Sequence, residues 1–590
     1  MNKSLSINEN YSLALKNYNM RNFIEAEIFC KKILSINSNH FESIWLMGLM
    51  SIREKKFKIA NNFFLQAANI KPNNEKIYNN LGNIEKELRN FDSAIKYYKK
   101  AIEIQPNNAN AYYNLGNVYK ELKNFNEALK NYYKATSIKS DYFYAYYSSG
   151  NIEQQLGNFE NAKKFYKKTL EIEPNHVSAY NNLGLAMSKL GEFSDSIKYF
   201  SKAIEIKPNH VGAHINLGLI LTELGKFSKA INIYEAAIKH EPENLNCYYY
   251  LSNLKKEILD LHLKKKIEKI LSKREITKIN LVYGNFLLSK YKFNEKNYNE
   301  EMECLIKAHS NYLLSIEEHK KEISYWLNES SKTKNIMNQD EITEVYKKET
   351  NNIKPIFIIG VPKCGSTLIE KIITSGPKKL PTGEETSVLS SIFKKNQIYE
   401  KSSLNLEILK NFREEIIKKY TSKKLINSES NFIFTDKSLE NFLFLDLIKI
   451  IFPKAKVINC QRDPISSIIS IFKSNLTGLP WAHNLEHIFK YFDIYFNKMK
   501  YYQKKMPDFI YNLNFENFVN EPVAESKKLM NFCELSWDVK CLEYYKREDL
   551  ISKTTSNIQI RKAIYKNSTK KYEPYKKIIE KYNKKYFWLN

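Results

Sequence analysis

The sequence predicts a multidomain chain in which an all-α stack of helix pairs is followed by an α/β domain with a parallel sheet. Three observations lead to this prediction. A glycine recurs every 34 residues through the first half of the chain. After Pro355 the pattern changes to short apolar runs, each followed by a loop and a helical segment. The length of 590 residues also exceeds what one hydrophobic core supports.

The repeated unit spans residues 7–260. Its period is marked by small residues, which are Ala14, Gly48, Gly82, Gly116, Gly150, Gly184, Gly218 and Ser252. A proline series keeps the same spacing at Pro72, Pro106, Pro174, Pro208 and Pro242. Small residues let two helices approach closely, and the prolines end the second helix of each pair. Because one pair cannot bury its apolar face alone, the units must stack.

This pattern resembles the tetratricopeptide repeat, in about eight copies. The resemblance implies a right-handed superhelix that binds a protein or peptide partner, or the substrate, on its concave face. A spacer or dimerisation arm is the equal alternative. Residues 261–350 keep helical periodicity with many charges, and we expect them to be a helical capping and linker region.

Composition excludes a disordered chain, because 43% of the residues are hydrophobic and 13% aromatic. The net charge of +27 is spread along the chain, which favours a compositional bias over a nucleic-acid partner and leaves an anionic substrate possible. The seven scattered cysteines predict neither a zinc site nor a disulfide framework. No apolar run is long enough for a membrane span or a signal sequence, so we expect a cytoplasmic protein.

Residues 360–367 read G-V-P-K-C-G-S-T, a phosphate-loop pattern with one fault. Ser366 stands where a nucleoside triphosphatase has lysine, and Lys363 lies three residues earlier. The apolar run before the loop and the helical pattern after it place backbone N–H groups and a helix dipole at one point. We therefore expect a site for a phosphate ester that needs no metal, with an ordinary glycine turn as the alternative.

A second anion site is predicted after the strand "KVINC". Arg462 lies at the carboxyl end of this strand, where open α/β sheets bind ligands. Ser466 and Ser470 lie one turn apart on the helix that follows. Arginine with serine can hold a phosphate; the alternative is a local salt bridge between Arg462 and Asp463.

Six segments occur in the order found in sulfotransferases: "GVPKCGSTL", "GEETSVL", "FTDKSLENF", "CQRDPISSIISIFKSN", "NFENFVNEP" and "TTSNIQIRKAIYKNSTKKY". The chain is most similar to bacterial tetratricopeptide-repeat sulfotransferases and to tyrosylprotein sulfotransferase. The resemblance implies that residues 351–590 form a three-layer, P-loop-like α/β domain. It also implies 3′-phosphoadenosine 5′-phosphosulfate (PAPS) as the donor.

The resemblance further implies which residues bind this donor. The 5′-phosphosulfate would lie on the loop residues Lys363, Cys364, Gly365, Ser366 and Thr367. Arg462 and Ser470 would bind the 3′-phosphate, and Phe515 would lie near the adenine. The segment from Ser556 to Tyr565 would close over the donor, and Lys571 would add a cation.

Sulfuryl transfer needs a carboxylate to take the proton of the acceptor hydroxyl, and cations to stabilise the charge that develops. The resemblance implies Glu385 as this base, Lys437 and Ser556 as stabilising residues with Lys363 assisting, and no metal. The residues alone leave other interpretations open. Glu384 or Glu385 could be an N-terminal helix carboxylate, and Lys437 could form a surface pair with Asp436.

Two further motifs have a structural interpretation. His483 and His487 are spaced i, i+4 as metal ligands can be, but with no third ligand a solvated helix face is favoured. Cys364 could be a redox-sensitive thiol, although a small-residue position is the favoured interpretation.

Three positions depart from the family pattern. Ser387 and Ser474 replace arginines of tyrosylprotein sulfotransferases, which puts tyrosine sulfation in doubt and predicts weaker donor binding with Lys473 adjacent. Tyr572 stands where bacterial members commonly have tryptophan.

The predicted function is a PAPS-dependent sulfotransferase with an unknown acceptor, which could be a protein tyrosine, a glycan or a small molecule. The alternative from another class is a repeat-based adaptor whose α/β domain is a degenerate nucleotide sensor. A kinase with a shifted loop lysine is the weakest alternative, because position 366 lacks the lysine.

Overall fold

A computed structural model describes residues 6–314, 319–329, 335–336, 353–396, 398, 403–426, 432–547, 549, 551–552, 557–564, 570–580 and 585–589. The chain divides into two compact units, one up to Ala213 and one from His214 onward. No helix in these ranges is long and apolar enough to cross a membrane. The predicted domain boundaries at 260 and 350 stay predictions.

The first unit consists of antiparallel helix pairs of nearly constant length. They are α1 (Ile7–Asn19), α2 (Phe23–Ile36), α3 (Phe41–Arg53), α4 (Phe57–Ile70), α5 (Glu75–Glu87), α6 (Phe91–Ile104), α7 (Ala109–Glu121), α8 (Phe125–Ile138), α9 (Phe143–Gln155), α10 (Phe159–Ile172), α11 (Val177–Leu190) and α12 (Phe193–Ile206).

The glycine period has a direct packing cause. A Cβ at Gly82 would lie 2.6 Å from the ring of Tyr98, sixteen residues later on the second helix of the pair. Gly116 and Tyr132 repeat this contact at 2.6 Å. Only glycine lets the aromatic ring lie flat against the first helix. In the first pair both positions differ: the aromatic residue is replaced by the small Cys30, and the glycine by Ala14, which packs near it.

The second unit opens with further helices. They are α13 (Val211–Glu223), which starts just before the unit boundary, α14 (Phe227–His240), α15 (Leu245–Leu254), α16 (Leu261–Leu271), α17 (Lys278–Asn294), α18 (Tyr298–Leu313) and α19 (His319–Ser324).

An α/β region follows these helices. Its strands are β1 (Asn335–Ile336), β2 (Lys354–Gly360), β3 (Ser403–Leu404), β4 (Ile433–Asp436), β5 (Lys456–Gln461) and β6 (Ile510–Asn514). Its helices are α20 (Ser366–Ile373), α21 (Val388–Lys395), α22 (Leu406–Ser422), α23 (Leu445–Ile451), α24 (Pro464–Phe472), α25 (Leu485–Lys505), α26 (Phe515–Asn520), α27 (Pro522–Phe532) and α28 (Lys576–Ile579).

The main sheet is parallel with the strand order β4-β2-β5-β6. Its central strand β2 is the apolar run seen in the sequence, and Ile358 lies opposite Ile458 of β5. One apolar core in this unit joins the sheet to helices as far back as Leu245. The sequence prediction of helix pairs followed by a parallel sheet is confirmed.

Replacing Gly116 by alanine tests the packing cause of the period. The added methyl collides with Tyr132, so Gly116→Ala should lower the free energy of unfolding by about 1–2 kcal/mol, even though alanine favours the helix by about 1 kcal/mol. In a Tyr132→Cys background, which recreates the Ala14 and Cys30 pair, the same substitution should cost nothing further. Urea unfolding of the four proteins followed by circular dichroism measures this, and an equal cost in both backgrounds would contradict the explanation.

Candidate active site

Four predicted site residues follow the carboxyl ends of the four strands of the main sheet. Lys363 comes after β2, Lys437 after β4 and Arg462 after β5, while Phe515 directly follows β6. Parallel strands end at one edge of a sheet, so these residues converge there without being neighbours in the sequence.

The loop after β2 is shaped by residues in the left-handed region. Lys363 has φ 68° and Gly365 has φ 97°. A Cβ at Gly365 would overlap the ring of Phe515, and a Cβ at Gly360 would lie 2.8 Å from the carbonyl oxygen of Cys460. Helix α20 begins at Ser366 immediately after this turn. The amide of Leu368 in its first turn donates to the carbonyl of Gly365 at 3.0 Å. The positive end of the helix dipole at this turn attracts an anion.

A cavity of about 680 Å³ opens above this edge. Its lining includes most of the predicted site residues, which are Lys363, Gly365, Ser366, Thr367, Glu385, Arg462, Ser470 and Phe515. Ser387 and Tyr572, two of the positions that depart from the family pattern, also line it.

Lys363 and Arg462 are the lining cations that follow strands β2 and β5, and Lys394 of α21 is a third lining cation. Burial lowers the pKa of Lys363 to about 8, with Arg462 acting in the same direction and Glu385 opposing. The Arg462 guanidinium donates from Nη1 to the Lys363 carbonyl at 3.0 Å and lies 5.0 Å from the Phe515 ring centroid. Its Nε is buried without a hydrogen-bond partner among the described residues. An anion in the cavity would satisfy this donor.

Asp463 does not pair with the neighbouring arginine. Its carboxylate accepts a hydrogen bond from the amide of Ser466 at 2.7 Å and caps helix α24. The local salt bridge considered from the sequence is therefore absent from the described contacts, and Arg462 is directed towards the loop and Phe515.

Glu385 projects into the cavity and is held by Lys437. The Lys437 Nζ donates to Glu385 Oε1 at 3.0 Å, and the side chains are 1% and 55% exposed respectively. Burial alone would lower the pKa of Lys437, but Glu385, Glu370 and Glu384 outweigh it and hold this pKa above its usual value. Lys437 is thus a buried, firmly protonated cation and not part of a surface pair.

Glu384 has a different environment from its neighbour. Its Oε1 accepts from Lys371 Nζ at 3.0 Å, and both side chains are buried. Its amide donates to Glu370 Oε1 at 3.0 Å, and its carbonyl accepts from the amide of Lys437 at 2.8 Å. Helix α21 has Ser387 as its N-cap residue, so neither glutamate caps it. Glu384 anchors the segment, and Glu385 is the carboxylate that reaches the cavity.

Several predicted residues lie elsewhere. The Cys364 thiol is buried, and a hydrogen bond with Cys460 is the main cause that lowers its pKa. Lys473, expected to compensate for Ser474, instead pairs with the buried Glu301 at 2.6 Å. Ser556 and the side chain of Lys571 lie outside the described residues.

The expectation of a solvated face carrying His483 and His487 is wrong. His483 belongs to a 3-10 turn before α25 and is buried, with its Nδ1 2.8 Å from the Nδ1 of His309 on α18. Burial lowers the pKa of His483 to about 3. This long-range histidine pair packs among aromatic rings, including that of Tyr312. Within the described ranges no group of three or more potential ligand side chains is placed to hold a metal ion.

The sequence prediction missed part of the cavity wall. Glu440 lines it and accepts from Ser390 Oγ at 2.9 Å, and burial raises the pKa of this carboxyl. Trp481 also lines it and stacks on Tyr491 with a centroid distance of 3.8 Å. Glu440 lies within the segment "FTDKSLENF" and Trp481 lies beyond the end of "CQRDPISSIISIFKSN", but their spacing carries no signal of a shared wall.

Comparison with known proteins gives two kinds of match. Residues 355–539 match the sulfotransferase family, and residues 74–141, 141–209 and 211–244 match the tetratricopeptide repeat. An uncharacterized protein of Aquifex aeolicus (strain VF5) is 29% identical over 330 residues, which are 53% of this chain and 42% of that protein. The chain thus matches less than half the length of this relative.

Solved structures of repeat proteins resemble part of the chain. MamA is 27% identical and covers 28% of this chain and 95% of its own, with a TM-score of 0.26. YrrB, described as a TPR protein with an unusual peptide-binding site, is 23% identical, covers 32% of this chain and 96% of its own, and has a TM-score of 0.29. The family matches show that this chain carries tetratricopeptide repeats at 74–244 and a sulfotransferase-family domain at 355–539.

Proposed function

We propose that this chain is a PAPS-dependent sulfotransferase that transfers a sulfuryl group to a hydroxyl of its acceptor. The observation that carries the proposal is the single cavity shared by the β2 loop, Arg462 and Glu385. The N-terminal end of α20, the cations Lys363 and Arg462 and the carboxylate of Glu385 suit a donor with two phosphates and an acceptor that must lose a proton.

The residues that line the cavity suggest how the donor would lie. Its 5′-phosphosulfate would lie on residues 363–367 at the start of α20, and its 3′-phosphate against Arg462 and Ser470. The buried Arg462 Nε supports this placement, because a phosphate oxygen would give it a partner. The adenine would lie beside Phe515.

The reaction would then depend on positioning and charge. Glu385 would accept the proton as the acceptor oxygen bonds to sulfur, and the bond from sulfur to the bridging oxygen breaks. Lys437 and Lys363 would stabilise the negative charge that develops, leaving adenosine 3′,5′-bisphosphate as the nucleotide product. The repeats would bind a protein partner or an acceptor-bearing polypeptide, a role that their match to the tetratricopeptide repeat supports.

Binding of the nucleotide product tests the donor site directly. Calorimetric titration of adenosine 3′,5′-bisphosphate without magnesium should show one binding site. Arg462→Ala should lower the binding affinity about 10- to 100-fold, because a charged hydrogen-bond donor is lost. Lys394→Ala is the matched control, since it removes a lining cation on α21 instead. Equal affinity for adenosine 5′-monophosphate, or binding only of magnesium-ATP, would contradict the proposal.

The affinity should also fall as the pH rises through about 8. With its pKa lowered to about 8, Lys363 is a cation below that pH and loses its charge above it, so binding should weaken up to about tenfold between pH 7 and pH 9. Lys363→Arg keeps its charge over this range and should flatten the profile. A wild-type profile that stays flat would exclude Lys363 from the anion site.

Substitutions of the adjacent Glu384 and Glu385 should affect different measurements, namely stability and turnover. Glu385→Gln should bind adenosine 3′,5′-bisphosphate with normal affinity. In an acceptor screen, it should form this product from PAPS about 10²- to 10⁴-fold more slowly, because the base is lost. Glu384→Gln removes the partner of the buried Lys371 and should mainly lower the melting temperature. A Glu385→Gln protein with full turnover would exclude Glu385 as the base, whereas nucleotide binding without turnover in the wild type would favour the nucleotide-sensing adaptor.

A further inference from the structure

The turn between the two helices of each repeat has a residue in the left-handed conformation. In the early repeats this residue carries a long basic side chain, as in Lys55, Arg89 and Lys123, with φ between 59° and 61°. In the later repeats this position is occupied by glycine, at Gly157, Gly191 and Gly225, which are spaced thirty-four residues apart. The turn itself therefore accepts a side chain.

Gly225 differs from the two glycines before it. A Cβ at Gly157 or Gly191 would have no atom within 4 Å. A Cβ at Gly225 would lie 2.5 Å from Nε of Arg561, which is more than three hundred residues later in the sequence but in the same compact unit. Glycine at this turn leaves the space that the guanidinium occupies.

Arg561 binds the end of helix α13 through this space. Its Nη2 donates to the carbonyl of Glu223 at 3.0 Å, and its Cζ lies 6.0 Å from the ring centroid of Phe227. The amide of Ser552 donates to the same carbonyl at 3.3 Å. The last carbonyls of a helix lack partners within it and carry the negative end of the dipole, so a guanidinium is a well-suited partner.

The docked segment is also a wall of the candidate active site. Gln559, Ile560, Ala563 and Ile564 line the cavity on either side of Arg561. Tyr544, another lining residue, donates from its hydroxyl to the carbonyl of Lys562 at 2.9 Å. The segment 557–564 is thus held at two points, one within the sheet region and one on a repeat turn.

We propose that Arg561 is a positioning residue, which docks the cavity wall 557–564 on the α13–α14 turn and so orders the nucleotide site. The proposal rests on the proposed function for its effect on nucleotide affinity. It makes the last turn of the repeat array a structural part of the sulfotransferase site and gives the repeats a physical connection to donor binding.

Gly225→Ala and Gly191→Ala form a matched pair in the full-length chain. Both put a methyl group on a left-handed turn residue, but only the first meets Arg561. Gly225→Ala and Arg561→Ala should each increase deuterium exchange of residues 557–564. Each should also weaken the binding of adenosine 3′,5′-bisphosphate about tenfold, because the cavity wall is displaced. Gly191→Ala should change neither, and Arg561→Lys, which keeps the charge, should restore part of the affinity.

A double mutant isolates the contact. In the Arg561→Ala background, Gly225→Ala should have no further effect, since the group that it meets is gone. Additive losses, or a Gly225→Ala protein that behaves like Gly191→Ala, would overturn the docking. Increased exchange with unchanged affinity would overturn the positioning role. If the wild-type chain bound no nucleotide, the proposed function would fail, and the exchange data would still decide whether the segment docks.

Discussion

The candidate site depends on a network of opposite charges in which Lys371, Glu384 and Lys437 are buried while Glu385 reaches the cavity. Lys371 pairs with Glu384, and Lys437 pairs with Glu385. Taking such charges out of water costs several kcal/mol per ion, which is recovered only when each has a close partner. The segment that carries both glutamates therefore has one favourable position against β4. That position directs one carboxylate inward as an anchor and the next into the cavity.

Helix α18, which precedes the sheet in the sequence, also supports the candidate site. On α18, Glu301 pairs with Lys473, the His309 ring lies 2.7 Å from the Phe472 carbonyl, and Tyr312 donates to the Thr477 carbonyl. These contacts fix the end of α24 and the loop beyond it, which lines the cavity. The apolar core is continuous over the same boundary. Helices that the sequence marks as a cap and linker thus share one compact unit and one apolar core with the sheet.

Local patterns predicted what local physics determines. The strand before the loop, the glycine-bounded loop and the helix that follows it are each specified by a few adjacent residues. The different roles of Glu384 and Glu385 are not, because they depend on which side chain meets Lys371. The burial of His483 depends on His309 in the same way. Arg561 could not be assigned either, since nothing near it in the sequence indicates a repeat turn.

The positively charged residues of the chain lie in two different environments. On the repeats, lysines such as Lys168 and Lys202 form exposed pairs with glutamates one turn away, and such pairs contribute little to stability. Water and salt screen them, so they give little selectivity for a ligand. Lys363 and Arg462 are partly buried and follow the ends of adjacent parallel strands. Because a charge interaction strengthens as the surrounding dielectric constant falls, these two cations would interact more strongly with an anion than the exposed lysines of the repeats.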